Sequence, residues 1–284
     1  MKVIESVSDM KQWANKQRSR GVRIGFVPTM GFLHEGHLSL MRIAREDCDL
    51  LVVSIFVNPT QFAPGEDFDR YPRDFNRDKE LCEQEEVSIL FFPSREEMYP
   101  SGHRTYVITD QLSQVLCGRS RPTHFKGVTT IVCKLFNIVK PHVAVFGQKD
   151  AQQAIILKRM VKDLNMDVQI IVGPIIREPD GLAMSSRNKY LSETERREAT
   201  VLYQSLKMAE NEFIQNKSMI QSKPKIKEMI EKNSSGNIDY IEIVDAETLD
   251  EPTPESQNIL IALAVYFGKT RLIDNVLINR NDHS

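Results

Sequence analysis

Val22-Arg23-Ile24-Gly25-Phe26-Val27-Pro28-Thr29-Met30-Gly31-Phe32-Leu33-His34-Glu35-Gly36-His37-Leu38, residues 22–38, decides the fold. Residues 22–27 are a short apolar run with the composition of a strand. A glycine-containing loop follows, and Leu38, Leu40, Met41 and Ala44 then recur at helical spacing. Strand, tight loop and helix in succession form the repeating unit of a parallel α/β sheet. Further strand-like runs lie at 50–57, 88–92, 143–146 and 168–172. They are nearly continuously apolar, as strands covered on both faces must be. Between them, segments 124–140 and 151–164 carry one apolar face each at helical spacing. The expected fold is α/β, a Rossmann-like doubly wound parallel sheet, whose ligands sit beyond the carboxyl ends of the strands.

Past Gly173-Pro174-Ile175-Ile176-Arg177-Glu178-Pro179-Asp180-Gly181 the pattern changes. Ser192 and Glu195 read as a capping box, with Ala199, Leu202, Leu206, Ala209 and Phe213 on one face of the helix that follows. A more polar helix is expected over about 219–232, then a turn at 234–237 and strands at 238–244, 259–266 and 271–278. Helices followed by strands predict a smaller C-terminal α+β domain with an antiparallel sheet. The expected domains are 1–176, binding nucleotide and substrate, and 177–284, acting as a lid.

The 284 residues hold 37 Lys+Arg against 39 Asp+Glu, a net charge of −2. That balance argues against a nucleic-acid or membrane-surface partner held by bulk charge, while a local cationic pocket stays open. Cys48, Cys82, Cys117 and Cys133 form no CxxC pair and read as buried thiols. The N-terminus lacks the apolar stretch of a signal peptide, and the longest apolar run, 259–267, is too short to span a membrane. The expected location is cytoplasmic.

The post-strand loops carry the chemistry. His34-Glu35-Gly36-His37 opens a helix, where free N–H groups and the dipole favour an anion. Two imidazoles there can donate to phosphate oxygens. Zinc ligation by the same pair lacks a completing cluster nearby, and neither a Walker loop nor G-x-G-x-x-G is present. In Asn58-Pro59-Thr60-Gln61, Asn58 and Gln61 could bind a hydroxy acid without adding charge, or the run could be a plain Asn-Pro turn. Gly147-Gln148-Lys149-Asp150, with Gln153 in the next helix, offers Lys149 for phosphate and Asp150 for ribose hydroxyls. Met184-Ser185-Ser186-Arg187-Asn188 suits phosphate oxygens and equally suits a helix cap. Arg119, Arg121, His124 and Lys126 form a fourth basic cluster, in the pocket or on a solvated loop.

These blocks in order, PTMGFLHEGH at 28–37, FVNPTQF at 56–62, RPTHFKGV at 121–128, FGQKDAQQ at 146–153 and DGLAMSSRN at 180–188, resemble the pantothenate synthetase (pantoate–β-alanine ligase) family of H-x-G-H nucleotidyltransferases. MSSRN stands where related synthetases carry a KMSKS-like signature. Gln148 departs from the Glu of many members. The resemblance implies attack of the pantoate carboxylate on the α-phosphate of ATP, giving pantoyl adenylate and pyrophosphate. Attack of β-alanine then gives pantothenate and AMP. It implies His34, His37, Lys149, Ser185, Ser186 and Arg187 on the phosphates, His37, His34, Lys149 and Arg187 being the catalytic set. Gly147 and Asp150 would meet ribose, and Ile176 and Met184 the adenine. Met30, Gly31, Phe32, Leu33, Glu35, Gly36 and Gln148 would complete the ATP site. Gln61 and Gln153, with Asn58 and Arg121, would hold pantoate and β-alanine. Magnesium would ride on the phosphates with no protein ligand named, and a homodimer is implied. Two other readings remain: an H-x-G-H nucleotidylyltransferase with a phosphate acceptor, and a non-catalytic nucleotide-binding regulator.

Overall fold

The computed structural model describes residues 1–216 and 221–283. Six strands, β1 (Lys2–Ile4), β2 (Ile24–Thr29), β3 (Leu50–Ile55), β4 (Ile89–Phe91), β5 (Val143–Gly147) and β6 (Gln169–Gly173), form one sheet in the order β1-β4-β3-β2-β5-β6. Every pairing in it is parallel. Three more, β7 (Asn237–Asp245), β8 (Asn258–Phe267) and β9 (Thr270–Asn279), form an antiparallel sheet. The helices in chain order are α1 (Val7–Arg18), α2 (Glu35–Glu46), α3 (Phe75–Gln84), α4 (Arg95–Met98) and α5 (Cys117–Ser120). After these come α6 (His124–Val139), α7 (Ala151–Asp163), α8 (Glu193–Glu198), α9 (Val201–Asn216) and α10 (Ser222–Asn233). Among the described residues no helix is long and apolar enough to cross a membrane.

The expected doubly wound sheet is present. Its four inner strands, β2 to β5, bury nearly every residue, as in Phe26, Val52 and Leu90, which explains their unbroken apolar runs, whereas the edge strands β1 and β6 bury one residue each. The chain winds from β2 through β3 to β4, then crosses back so that β5 lies on the other side of β2. β2 pairs with β3 over six residue pairs, Ile24↔Leu50 through Thr29↔Ile55. With β5 it pairs only at Gly25↔Val143 and Phe26↔Ala144. The two strands therefore part toward their carboxyl ends and open a crevice where the order reverses, the usual ligand position in such sheets.

The antiparallel sheet shows why 259–267 is continuously apolar. Ile261, Leu263, Val265 and Phe267 face a core made with Leu202, Leu206 and Phe213 of α9 and with Ile226 and Ile230 of α10. Leu260 and Ala262, on the other face, pack with Leu116, Ala151 and Ile155. The side-chain period of two thus meets two apolar surfaces at once.

Three details differ from expectation. β1 was not anticipated, being only three residues at a sheet edge. The Ser192–Glu195 capping box forms, but its helix ends at Glu198 instead of running on to Phe213. Thr200 turns its hydroxyl onto the Arg197 carbonyl at 2.8 Å, and β-branched residues that bond their own backbone interrupt helices. The helix expected from about 219 begins at Ser222; positions 219–220 lie outside the described residues.

Candidate active site

The crevice at the parting of β2 and β5 is a cleft of about 750 Å³. Its wall includes Met30, His34, Gly36, His37, Asn58, Gln61, Arg121, Gly147, Lys149, Asp150, Gln153, Ile176, Met184, Ser185 and Arg187. Met30 and Arg187, 157 positions apart, thus meet in one cavity.

The H-x-G-H loop is held from below. Gly31 has φ +81°, and a Cβ there would come within 2.9 Å of both Asp78 Oδ2 and Ile55 Cγ2. Phe32 follows at φ +51°, a conformation costly for an aromatic residue. Asp78, 1% exposed, accepts from the N–H of Phe32 at 2.7 Å and of Leu33 at 2.8 Å. This buried carboxylate satisfies two successive N–H groups of a strained turn, and sequence reading missed it because an acid in the first turn of α3 looks like an ordinary surface residue.

His34 is the N-cap of α2 and stacks near His37, ring centroids 4.1 Å apart. The His34 N–H donates to His37 Nδ1 at 3.3 Å, so His37 carries its proton on Nε2. His34 Nδ1 is buried without a hydrogen-bond partner among the described residues. Burial first, and then the Lys149 ammonium, push the His34 imidazole down to about 4. Burial, His34 and Lys149 hold His37 well below its ordinary value. Both rings are neutral at pH 7, next to Lys149, whose Nζ lies 3.7 Å from Asp150. This corner has donors and no strongly held anion.

The opposite corner is neutralised internally. Arg187 makes a two-pronged pair with Asp67, Nε–Oδ2 2.8 Å and Nη2–Oδ1 2.9 Å. Arg121 does the same with Glu66 at 2.7 and 2.6 Å. Burial alone would raise both carboxyl groups, but the guanidinium hydrogen bonds and charges outweigh it and hold them below the usual range. Sequence reading missed Glu66 and Asp67, whose partners lie 55 and 120 residues away. Tyr71, also missed, is buried with Arg187 5.9 Å from its ring centre.

The NPTQ run is both a turn and a wall of the cleft. Asn58 is buried, and its amide is fully used: Nδ2 donates to Gln61 Oε1 (3.0 Å) and Gly127 O (3.1 Å), while Oδ1 accepts from Thr60 Oγ1 and Tyr99 OH, each at 2.9 Å. Gly127 is required there, because a Cβ would lie 2.5 Å from Thr60 O. Asn58 thereby fixes Gln61, whose Nε2 meets Met30 Sδ at 3.3 Å. The Gln61 carbonyl accepts from Arg121 (3.2 Å) and from His124 Nδ1 (3.0 Å). A carbonyl can only accept, so His124 carries its proton on Nδ1; burial foremost pushes it down to about 4. The fourth basic cluster is therefore split. Arg121 and His124 face the cleft, Arg119 pairs with Glu242, and Lys126 lies over the Tyr106 ring.

Gln152 and Gln153 divide in the same way. Gln152 is buried and braces the loop before α5, donating to Leu112 O and Val115 O. Gln153 lines the cleft with no hydrogen-bond partner among the described residues. The MSSRN run is a cap and a wall together: Ser185 Oγ accepts from Arg187 N at 3.3 Å and caps a short 3-10 turn, Ser186–Tyr190. Ahead of it the chain doubles back, with Met184 N–H donating to Ile176 O at 3.0 Å. That leaves Ile176 N–H and Met184 C=O, one donor and one acceptor, without partners among the described residues.

Six expected contact residues do not line the cleft: Gly31, Phe32, Leu33, Glu35, Gln148 and Ser186. Gly31 and Phe32 shape the turn, and Leu33 is core, 1% exposed. Glu35 turns outward to Arg42. Ser186 is buried and donates to Phe32 O at 3.3 Å, joining the second signature to the first. Gln148 points to Asn275, 3.4 Å from its Oδ1, and Asn275 Nδ2 donates to the carbonyls of Gln148 (2.9 Å) and Lys149 (3.0 Å). The antiparallel sheet therefore grips the Lys149 loop through β9. The only sequence signal at Asn275 is an interrupted apolar strand run, and its partners lie over 120 residues away.

Similarity to known proteins agrees with this geometry. The profile of the family described as Pantoate-beta-alanine ligase matches residues 2–277. The chain is 57% identical over 282 residues to the pantothenate synthetase of Thermotoga petrophila, covering 98% of this chain and all of that one. It is 53% identical over 279 residues to the enzyme of Caldicellulosiruptor bescii, covering 98% and 99%. The solved pantothenate synthetase of Thermus thermophilus superposes with a TM-score of 0.91 at 41% identity, covering 97% of this chain and 99% of that one. The pantoate-beta-alanine ligase of Francisella tularensis, solved with beta-gamma ATP and beta-alanine, gives 0.80 at 36% identity, covering 98% and 97%. With the whole chain matched and the five sequence blocks brought to one crevice, the chain belongs to the pantoate–β-alanine ligase family.

Proposed function

We propose that the cleft condenses (R)-pantoate with β-alanine at the expense of ATP, through a pantoyl adenylate. The observation that carries this reading is the meeting, at one sheet crevice, of a neutral two-histidine and lysine corner with the uncharged amides of Gln61 and Gln153. The first suits phosphates; the second suits a hydroxy acid.

The chemistry follows from placement. A carboxylate is ionised at pH 7 and needs no base. Its oxygen bonds to the α-phosphorus as the bond to the bridging oxygen breaks and pyrophosphate leaves. His37 Nε2–H and Lys149 donate to the phosphates as charge grows on the leaving group, with Ser185 beside them. Arriving phosphate charge also raises the two imidazole pKa values, so ATP draws protons into the site. The β-alanine amine, once deprotonated, then bonds to the acyl carbon, and AMP departs with one former carboxylate oxygen. The free N–H of Ile176 and C=O of Met184 match the donor and acceptor edge of adenine, and Asp150 and Gly147 stand for the ribose.

Arg121 and Arg187 take part by exchange: substrate anions replace Glu66 and Asp67 as their partners. Asn58 and Ser186 act by holding Gln61 and the H-x-G-H turn. Among the described residues no group of three or more His, Cys, Asp or Glu could hold a metal. Magnesium would enter on the triphosphate and supply charge neutralisation there. Residues 177–284 serve as the cover over 1–176 and exclude water from the acyl adenylate. The enzyme works in the cytoplasm as a homodimer.

The test is isotopic. With carboxylate-¹⁸O pantoate, one label must appear in AMP and none in pyrophosphate. Unlabelled AMP would remove the adenylate route. A phosphate-acceptor transferase would instead turn over without pantoate, and a regulator would not turn over at all.

A further inference from the structure

We propose that Asp274 and Asn275, successive residues of β9, are positioning residues that together set the spacing between the adenine edge of the site and its phosphate-binding lysine. The inference rests on the proposed function, which puts adenine at Ile176 and Met184 and the phosphates at Lys149.

Adjacent residues of a strand face opposite sides of the sheet. Asp274 shares a face with Leu272, Val276 and Ile278, which pack into the core formed with α9. Asn275 lies on the other face, toward the Lys149 loop. Both are buried, at 2% and 3% exposure. A carboxylate on such a face costs desolvation that an apolar residue would not. Its partner is Arg177, which closes on it with two prongs, Nη1–Oδ2 2.6 Å and Nη2–Oδ1 3.0 Å. The same guanidinium lies 4.2 Å from the centre of the Tyr203 ring and donates to Gly181 O at 3.1 Å. Arg177 opens a short hairpin: it bridges to Ala183, and Glu178 N–H donates to Leu182 O at 2.8 Å. The residues that flank this bridge are Ile176 and Met184. The Arg177–Asp274 pair therefore pins the adenine edge to β9.

Asn275 pins the other end. Its Nδ2 donates to the carbonyls of Gln148 (2.9 Å) and Lys149 (3.0 Å), and its Oδ1 accepts from Gln148 Nε2 at 3.4 Å. The Lys149 ammonium makes no hydrogen bond among the described residues and has Asp150 at 3.7 Å, so the backbone of the loop sets its place. Asp274 and Asn275 both border the cleft, yet their polar groups are spent on these partners. They act through the hairpin and the loop, not on substrate. The ladder to β8, Leu263↔Asp274 and Ala262↔Asn275, stiffens the strand between the two grips. A nucleotide held at both ends presents its α-phosphate at a fixed distance from pantoate, and a misplacement of about 1 Å costs on the order of 10²-fold.

Single-turnover pyrophosphate release by the full chain, at saturating pantoate, tests this in a double-mutant cycle. Asn275→Ala is expected to slow the maximal rate about tenfold and to leave the half-saturating ATP concentration within about twofold of wild type. In the Lys149→Ala background the same change is expected to cost nothing further. An equal loss in both backgrounds, or no loss in either, overturns the Asn275 assignment. Asn275→Ser keeps one donor and carries the same cycle where thermal melting shows the alanine variant unfolded. Arg177→Lys keeps the charge beside Asp274 but loses the fork. It is expected to raise the half-saturating ATP concentration about tenfold and to weaken the preference for ATP over GTP, with the maximal rate within about twofold. An unchanged ATP requirement and preference overturns the Asp274 assignment. A wild type that releases no pyrophosphate with pantoate overturns the proposed function and this inference with it. Pantoate-dependent release by the wild type, with either assignment failing as above, overturns the positioning alone.

Discussion

The two cationic corners of the cleft are built in opposite ways. At one, His34, His37 and Lys149 face the cavity without a tightly held counter-ion, and the imidazoles are neutral because burial and Lys149 disfavour their charged forms. At the other, Arg121 and Arg187 are each clasped by a carboxylate of one loop, Glu66 and Asp67. A guanidinium cannot shed its proton, so the only way to keep it in a half-buried site is to pair it. Histidine can simply stay neutral. Under the proposed reaction the difference would divide the tasks: the histidine corner would be ready to donate on arrival of phosphate, and the arginine corner would exchange partners.

The largest expected effect lies at the ready corner. His37→Ala and Lys149→Ala should each lose on the order of 10²-fold or more in adenylation, measured by single-turnover pyrophosphate release. Near-wild-type rates in both would erase the contrast between the corners. Next comes the support beneath the ready corner. Asp78→Ala leaves the buried N–H groups of Phe32 and Leu33 unpaired, at about 1–3 kcal/mol each, read by urea unfolding. A stability within 0.5 kcal/mol or so of wild type would mean that the turn does not depend on that carboxylate.

The paired corner predicts a gain. Asp67→Asn removes the competitor for Arg187, so ATP should bind roughly three- to tenfold tighter at low salt, with the gain shrinking as salt screens the charges. Weaker ATP binding would show that Asp67 positions Arg187 instead of competing with phosphate. Gln61→Ala should raise the pantoate KM about tenfold and leave that for ATP unchanged.

A further effect is pH-linked. His34 and His124 sit at about 4 when folded, against about 6.5 unfolded, so the unfolded chain binds more protons between those values. Stability contributed by these neutral rings is complete above pH 6.5 and is lost as pH falls toward 4. Saturating ATP should oppose the loss by favouring protonated rings in the folded state. Melting temperatures flat from pH 7 to 5, with and without ATP, would contradict the neutral corner.

What could be read from residues alone was whatever is local. Strand, glycine loop and helix lie within 22–46, so the H-x-G-H unit and its place at a sheet crevice were legible from spacing. The second sheet was legible from its alternating and continuous apolar runs. Long-range pairings were not. Asp78, Glu66 and Asp67 are polar residues in polar surroundings, Asn275 interrupts an apolar strand run, and only the fold reveals that their partners lie 45 to 127 positions away. Ser186 and Glu35 show the converse. Membership of a signature block suggested ligand contact, but helix phase turns Glu35 outward to Arg42, and Ser186 points to the carbonyl of Phe32.

The central claim is that this cleft activates a carboxylate with ATP before any amine is needed. Exchange of labelled pyrophosphate into ATP tests it directly, with pantoate present or absent and β-alanine withheld. The expected result is rapid exchange only with pantoate, slowed on the order of 10²-fold or more in Lys149→Ala. Exchange that proceeds without pantoate, or none under any of these conditions, would contradict the account.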